Sequence, residues 1–272
     1  MSDTPAGLFL GQSDEGQDQA LLFHRANRHG VVAGATGTGK TVTLQILAQG
    51  FSDAGVPVFC ADVKGDLSGI SQIGTPNEKL LARAADMGLA LTPSAAPTVF
   101  WDLYGQKGHP IRTTVSEIGP VLMARMLDLN EVQEGVLTVV FHVADQEGLL
   151  LLDIDDLRSL LAYVGENAER IGREVGHVAP ASIAAVQRAI LQLEQQGGAA
   201  FFGEPALKLE DVIRVGLDGR GQVNVLDSTR LMNSPRLYAA FLLWLLSELF
   251  EQLPEVGDPE KPRLVFFFDE AH

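Results

Sequence analysis

One stretch of the sequence has the residue types and spacing of a loop that binds phosphate groups. It fits the pattern G-x-x-x-x-G-K-[S/T] at every position, with Gly34, Ala35, Thr36, Gly37, Thr38, Gly39, Lys40 and Thr41. Glycines let such a loop wrap tightly, so that successive backbone N–H groups point at a β-phosphate. Lys40 would bring a mobile positive charge to the β- and γ-phosphate oxygens, and the Thr41 hydroxyl would bind Mg²⁺. The sequence therefore predicts a site for ATP and Mg²⁺.

A second candidate for chemistry is an acidic pair, Asp269 and Glu270, directly after a predicted apolar strand. Asp269 would hold the magnesium ion through its water shell, and Glu270 would polarise the water that attacks the γ-phosphate. Many strands end in charged turns, so the pair alone is a weak signal. An intact phosphate-binding loop in the same chain favours the catalytic interpretation. We predict Glu270 and Lys40 as catalytic residues, and Thr41 and Asp269 as metal ligands.

Three charged residues, Asp62, Lys64 and Asp66, follow another predicted strand. The carboxyl ends of parallel strands face the ligand crevice, which makes these residues candidates for a further part of the site. A solvated loop explains them equally well, and both interpretations stay open. Cys60 precedes them on the strand and is expected to be a small core residue rather than a nucleophile.

The elements around the phosphate-binding loop predict an α/β fold. A short apolar strand at residues 29–33 precedes the loop, a helix that ends near Gly50 follows it, and residues 56–61 form a second buried strand. Strand, loop, helix and strand in this order make a βαβ unit, which implies a parallel sheet.

The rest of the pattern divides the chain into three parts. Residues 1–28 contain two short apolar runs and predict a β-ribbon. Residues 29–75 and 216–272 form the nucleotide-binding core, and residues 76–215 form a mainly helical insertion. Within the second core segment, a helix at residues 235–253 is apolar on almost every face. We predict that it is buried on several sides, either in the core, which we favour, or at a subunit interface.

Composition and charge restrict the class of protein. With 46% hydrophobic and 20% charged residues, the chain can bury a core and is not expected to be disordered. No apolar run reaches the roughly 18 residues of a membrane span, and the N-terminus lacks signal-peptide features. A single cysteine fits a reducing compartment, so we predict a cytoplasmic protein. With a net charge of −15, the chain lacks the positive electrostatic field of a protein that binds DNA by phosphate neutralisation alone.

Several motifs together resemble the HerA-like branch of the HerA/FtsK ATPase superfamily. They are NRHGVVAGATGTGKT (27–41), ADVKGDL (61–67), GHPIRTT (108–114), QEGV (133–136) and LVFFFDEAH (264–272). They occur in the order of that family and span nearly the whole chain. The resemblance implies a RecA-like P-loop core, hydrolysis of Mg-ATP, a homo-oligomeric hexameric ring in the full-length form, and translocation of double-stranded DNA.

The sequence departs from that family in two respects. Members continue past the strand that precedes Asp269, and the resemblance implies a sensor strand and an arginine finger there. Such a strand would lie between residues 31–33 and 265–268. We therefore expect the chain to be truncated, with weak nucleotide binding and slow hydrolysis by itself. Archaeal members also place a β-barrel before the loop, where only a short segment precedes it here.

Two other functions stay open. The acidic net charge fits a nucleotide-dependent switch or a phosphotransfer protein that does not act on DNA. Residues 269–272 read DEAH, which also names a class of superfamily 2 helicases. In that class the phosphate-binding loop and the DEAH strand lie closer together than they do here. This wider spacing favours the HerA-like interpretation.

Overall fold

The computed structural model describes residues 7–176, 178–253 and 255–270. The chain forms two compact units. One contains residues 1–101, 208–229 and 254–272, and the other contains residues 102–207 and 230–253. These units group residues by contact, whereas the three parts predicted from the sequence group them by element type. That three-part division stays a prediction.

The secondary-structure elements alternate between strands and helices in the first unit, and helices dominate the second. The strands are β1 (Gly7–Gln12), β2 (Asp18–Leu22), β3 (Val58–Asp62), β4 (Thr98–Asp102), β5 (His109–Pro110), β6 (Val223–Asp227) and β7 (Val265–Phe268). The helices are α1 (Lys40–Asp53), α2 (Glu78–Asp86), α3 (Val115–Met126), α4 (Glu131–Glu147), α5 (Ile154–Glu166), α6 (Ala168–Val175), α7 (Pro180–Gln195), α8 (Leu209–Val212) and α9 (Pro235–Gln252).

A parallel sheet with the strand order β4-β6-β3-β7 lies at the centre of the first unit. Val58 of β3 lies opposite Val223 of β6 on one side and Val265 of β7 on the other. All five residues of β3 are buried, as expected for a central strand covered on both faces. The sheet confirms the predicted α/β fold, and it brings the carboxyl ends of β3 and β7 side by side.

The predicted N-terminal ribbon is present as the antiparallel pair β1 and β2. Helix α1 runs to Asp53, whereas the sequence predicted that it ends near Gly50. A β-carbon at position 50 would collide with the side chain of Leu8 on β1. Gly50 is therefore a site of close packing between ribbon and helix, and it does not end the helix.

The strand predicted at residues 29–33 is not formed. The side chain of Val31 is 90% exposed there, and Val32 is exposed as well. Apolar residues form a strand only where a neighbouring strand supplies the pairing groups. Within the described part of the chain, no strand pairs with this segment, and β7 is the last strand in the order on its side of the sheet.

The second unit confirms the predicted helical character of the middle of the chain. Thr114, Asn130 and Asp153 each accept a hydrogen bond from a backbone N–H in the first turn of α3, α4 and α5. These side-chain caps define where the helices begin. Among the described residues, no helix is long and apolar enough to cross a membrane.

Helix α9 packs in the core of the second unit through one face. Its Phe241 and Trp244 rings lie 5.6 and 5.7 Å from the ring of Phe201, measured between centroids. On other faces Leu243 is exposed, and so is Phe250. The expected burial within the core on several sides is therefore wrong. Burial of the remaining faces at a subunit interface stays a prediction.

Candidate nucleotide and metal site

The phosphate-binding loop leads directly into α1, which begins at Lys40. Gly37 and Gly39 have φ angles of 81° and 94°, values that favour glycine over residues with a β-carbon. Residues 34–38 of the loop are exposed and Gly39 is half-buried, so the backbone groups of the loop are open to a ligand. The free N–H groups at the start of α1 point toward the same place and favour an anion.

Lys40 is folded back over its own loop. Its Nζ donates to the carbonyl oxygen of Gly34 at 2.9 Å and to that of Ala35 at 3.4 Å. Both partners are neutral, whereas a phosphate oxygen is charged and makes a stronger hydrogen bond with an ammonium group. The side chain is thus placed where a bound phosphate could draw it away from these carbonyls.

Thr41 lies beside the acidic residues that follow β3 and β7. Its hydroxyl donates to Asp66 Oδ2 at 3.2 Å. One carboxylate oxygen each from Asp62, Asp66 and Asp269 forms a cluster whose atoms lie within 4.8 Å of one another. The structure therefore brings together Thr41 and Asp269, which the sequence predicted as metal ligands. The same cluster contains Asp62, the last residue of β3, and Asp66, which follows β3.

The donor set fits a magnesium ion. Mg²⁺ prefers hard oxygen ligands and is commonly held by one or two carboxylates together with phosphate oxygens and water. Asp269 is only 8% exposed, and its Oδ2 is buried without a hydrogen-bond partner among the described residues. A cation at this position would pair with that oxygen.

Burial and mutual repulsion perturb these carboxyl groups. Burial raises the pKa of Asp269, and the charges of Asp66 and Glu270 raise it further. The pKa of Asp62 is also raised, first by burial and to a smaller extent by the charge of Asp66. Both groups are therefore harder to ionise than isolated aspartates. A bound cation would stabilise their charged forms.

Asp62 differs from its neighbours because it supports the backbone. Its Oδ1 accepts from the N–H of Gly65 at 2.7 Å, and its Oδ2 accepts from the N–H of Leu67 at 3.1 Å. Gly65 has a φ angle of 79°, which the tight turn requires. Asp62 thus closes the turn that carries Lys64 and Asp66.

Lys64 forms an ion pair with Glu270, in which Nζ donates to Oε1. The hydrogen bond and the charge of Glu270 raise the pKa of the Lys64 ammonium group. Glu270 has a φ angle of 51°, an uncommon value for a residue with a side chain. The sequence did not predict this contact, although both residues follow the ends of strands that a parallel sheet can place side by side.

The loop, the parallel sheet and the acidic residues at the ends of β3 and β7 define a P-loop NTPase. Residues 8–272 match the family model described as Helicase HerA-like C-terminal. The chain therefore belongs to this family, as the motifs indicated. Because the matched family is HerA-like, the alternative interpretation as a superfamily 2 helicase is wrong. Comparison with curated protein sequences finds no match.

Two solved structures share the fold. VirB4 of Thermoanaerobacter pseudethanolicus aligns with 98% of this chain and 68% of its own, at 14% identity and a TM-score of 0.56. The plasmid coupling protein TrwB, in complex with the non-hydrolysable ATP analogue ADPNP, aligns with 97% of this chain. The alignment covers 65% of the TrwB chain, at 14% identity and a TM-score of 0.53. At this level of identity the similarity establishes the RecA-like fold.

Proposed function

We propose that this chain is the subunit of a HerA-like DNA translocase or helicase that binds and hydrolyses Mg-ATP. The observation that best supports the proposal is the position of the Thr41 hydroxyl, at the start of α1, beside the carboxylates of Asp66 and Asp269. A phosphate-binding loop whose threonine lies near the aspartate that follows a neighbouring strand fits the binding of Mg-ATP.

Each residue of the site has a proposed role in binding. The backbone N–H groups of residues 34–41 cradle the β-phosphate, and Lys40 leaves its loop carbonyls to pair with the β- and γ-phosphate oxygens. Thr41 and Asp269 hold the magnesium ion. When bound, that ion supplies positive charge that offsets the negative charge of the phosphate oxygens.

Glu270 is proposed as the group that accepts a proton from the attacking water. Its carboxylate is paired with Lys64, and this contact restricts its orientation. Lys64 therefore acts through Glu270 as a positioning residue. Asp62 supports the turn that places Lys64.

The action on DNA and the assembly are inferred from the family and the fold. The family description names a helicase, and motors of this fold are expected to work as hexameric rings on double-stranded DNA. We place the protein in the cytoplasm. The net charge of −15 favours a second candidate, a nucleotide-dependent switch or phosphotransfer protein that does not act on DNA.

Steady-state ATP hydrolysis with and without duplex DNA separates these two candidates. A motor coupled to DNA should release phosphate faster when duplex is added, whereas a switch should be indifferent to it. Glu270→Gln serves as the control, because stimulated hydrolysis that persists in this variant would come from a contaminating enzyme. A rate that is unchanged over a range of duplex concentrations at low salt would overturn the motor assignment.

A further inference from the structure

We infer that Asp66 belongs to the metal site, where it orients Thr41 and contacts the cation or its water shell, while Asp62 only supports the loop. The inference rests on the proposed function, and it gives distinct roles to two residues that the sequence pattern left equivalent. Four observations on the first unit support it. They are the contacts that hold Asp66 against α1, the hydrogen bond from Thr41 to Asp66, the Asp269 oxygen without a hydrogen-bond partner among the described residues, and the backbone hydrogen bonds of Asp62.

The loop that bears Asp66 is fastened to α1 at two points. The Asp66 carboxylate accepts the hydroxyl proton of Thr41 at 3.2 Å, and the Asp66 backbone carbonyl accepts from Gln45 Nε2 at 3.0 Å. Thr41 and Gln45 are four residues apart and so lie on the same face of the helix. Asp66 is therefore held against the first turn of α1 by contacts to both its backbone and its side chain.

The direction of the Thr41 hydrogen bond determines what its oxygen can do. A hydroxyl group has one proton to donate and two lone pairs to offer. Because the proton is directed at Asp66, the lone pairs of Thr41 Oγ1 stay available to a cation. Asp66 thus prepares Thr41 as a ligand before a nucleotide binds. Asparagine at position 66 would remove the negative charge and let an amide N–H donate to Thr41 Oγ1 instead.

Asp269 supplies the independent observation that a cation is expected here. Its side chain is more than nine-tenths buried, with 8% exposed, and its Oδ2 has no hydrogen-bond partner among the described residues. Its carboxylate shares a cluster, within 4.8 Å, with those of Asp66 and Asp62. A buried carboxylate oxygen that has no donor and lies close to other carboxylates is stabilised by a cation, and oxygen ligands suit a divalent one.

Asp62 differs from Asp66 because its carboxylate already supports the backbone of the loop. Each of its carboxylate oxygens accepts a backbone N–H, from Gly65 and from Leu67. These bonds stabilise the turn, and the negative charge of Asp62 therefore faces backbone N–H groups of its own loop. Asp66 has no such backbone role for its carboxylate in the described contacts, and it remains exposed on the side of Thr41.

The test uses Mn²⁺ as the probe, with free Mn²⁺ measured by electron paramagnetic resonance during a titration of the nucleotide-free chain and of its ADP complex. Five proteins are compared: the parent chain, Asp66→Asn, Asp66→Glu, Asp269→Asn and Asp53→Asn. Asp53 is exposed at the far end of α1, so its variant controls for the loss of one negative charge. Binding of a fluorescent ADP derivative in EDTA and thermal unfolding confirm that each variant is folded.

We expect Asp66→Asn to weaken Mn²⁺ binding about 10- to 100-fold, as the loss of metal-site partners does elsewhere. Asp53→Asn should match the parent chain, and Asp66→Glu should recover part of the affinity. Parental Mn²⁺ affinity in Asp66→Asn together with weak binding in Asp269→Asn would overturn this inference and leave the proposed function standing. A parent chain without a Mn²⁺ site, or one insensitive to Asp269→Asn, would overturn the proposed function as well. If Asp66→Asn does not fold, Asp66→Ser replaces it in the same comparison.

Discussion

Asp269→Asn should make the metal-free chain more stable, although it removes a metal ligand. The carboxylate is buried, and its Oδ2 lacks a hydrogen-bond partner among the described residues. Burial, followed by the charges of Asp66 and Glu270, raises its pKa. Because the folded-state pKa is raised, the folded chain binds this proton more tightly than the unfolded chain does. The ionised group therefore lowers stability at every pH above that pKa. An asparagine carries no charge, and its amide N–H can donate toward Asp66.

The size of the effect follows from the unsatisfied oxygen. A buried polar atom without a hydrogen bond costs about 1–3 kcal/mol. The asparagine amide recovers part of this cost, so we expect a gain of about 1 kcal/mol in the free energy of unfolding. For a domain of this size, that corresponds to a rise of about 2–4 °C in Tm.

Thermal unfolding in EDTA near neutral pH measures this difference, with Asp53→Asn as the charge control. On acidification the difference between the parent chain and Asp269→Asn should shrink, because the parent carboxyl becomes protonated. Addition of Mg²⁺ should raise the Tm of the parent chain and leave that of the variant almost unchanged. If Asp269→Asn melts below the parent chain in EDTA, the carboxylate is stabilising and the reasoning is wrong.

Three further predictions concern the catalytic residues and the core. Glu270→Gln should keep ATP binding and slow turnover about 10²- to 10⁴-fold, because it removes the base and leaves the phosphate site; parental turnover would exclude Glu270 as the base. Lys64→Met should lower kcat about 10- to 100-fold with little change in KM, and Lys64→Arg should restore part of the lost kcat. The control Lys79→Met, on an exposed part of α2, should have no effect. An increased kcat in Lys64→Met would mean that Lys64 restrains Glu270. Burial, and secondly the charge of Asp62, raise the pKa of the Cys60 thiol to about 12. The thiol should therefore not react with a disulfide reagent at mildly alkaline pH until the chain is unfolded. Fast reaction of the folded chain would show that Cys60 is not buried.

The parts of the fold that could be predicted are those set by local pattern. The caps of α3, α4 and α5 lie within a few residues of the groups they bond, so the sequence indicates where these helices begin. The apolar run of β3 likewise predicts a buried strand, because a strand covered on both faces needs little else. The apolar run of β7 predicts a strand as well, but the burial expected for it is wrong, since Val265, Phe266 and Phe267 are half-buried and Phe268 is exposed.

The errors arose where a distant partner decides the outcome. Residues 31–33 have an apolar pattern, but a strand also needs a neighbour, and none pairs with them in the described residues. Gly50 looked like the end of a helix, whereas its role depends on Leu8 of the ribbon. The role of this glycine could not be deduced without knowing that the ribbon packs on α1.

The candidate site shows the same division. Its residue types could be predicted from two motifs and from the position of Asp62, Lys64 and Asp66 after a strand. The contacts of Lys64 with Glu270 and of Thr41 with Asp66 depend on β3 pairing with β7, and on the packing of the loop against α1. Sequence spacing alone does not contain that information.

The central claim, that residues 34–41 bind the phosphates of ATP, is tested most directly by calorimetric titration of ATP into the parent chain and into Lys40→Ala. Loss of a charged hydrogen-bonding partner of the phosphates corresponds to about 1.5–3 kcal/mol, or about 10- to 150-fold in Kd. We predict at least this loss for Lys40→Ala in the presence of Mg²⁺, and parental affinity for the control Lys79→Ala. Equal ATP affinity in the parent chain and Lys40→Ala would contradict the assignment of the phosphate site.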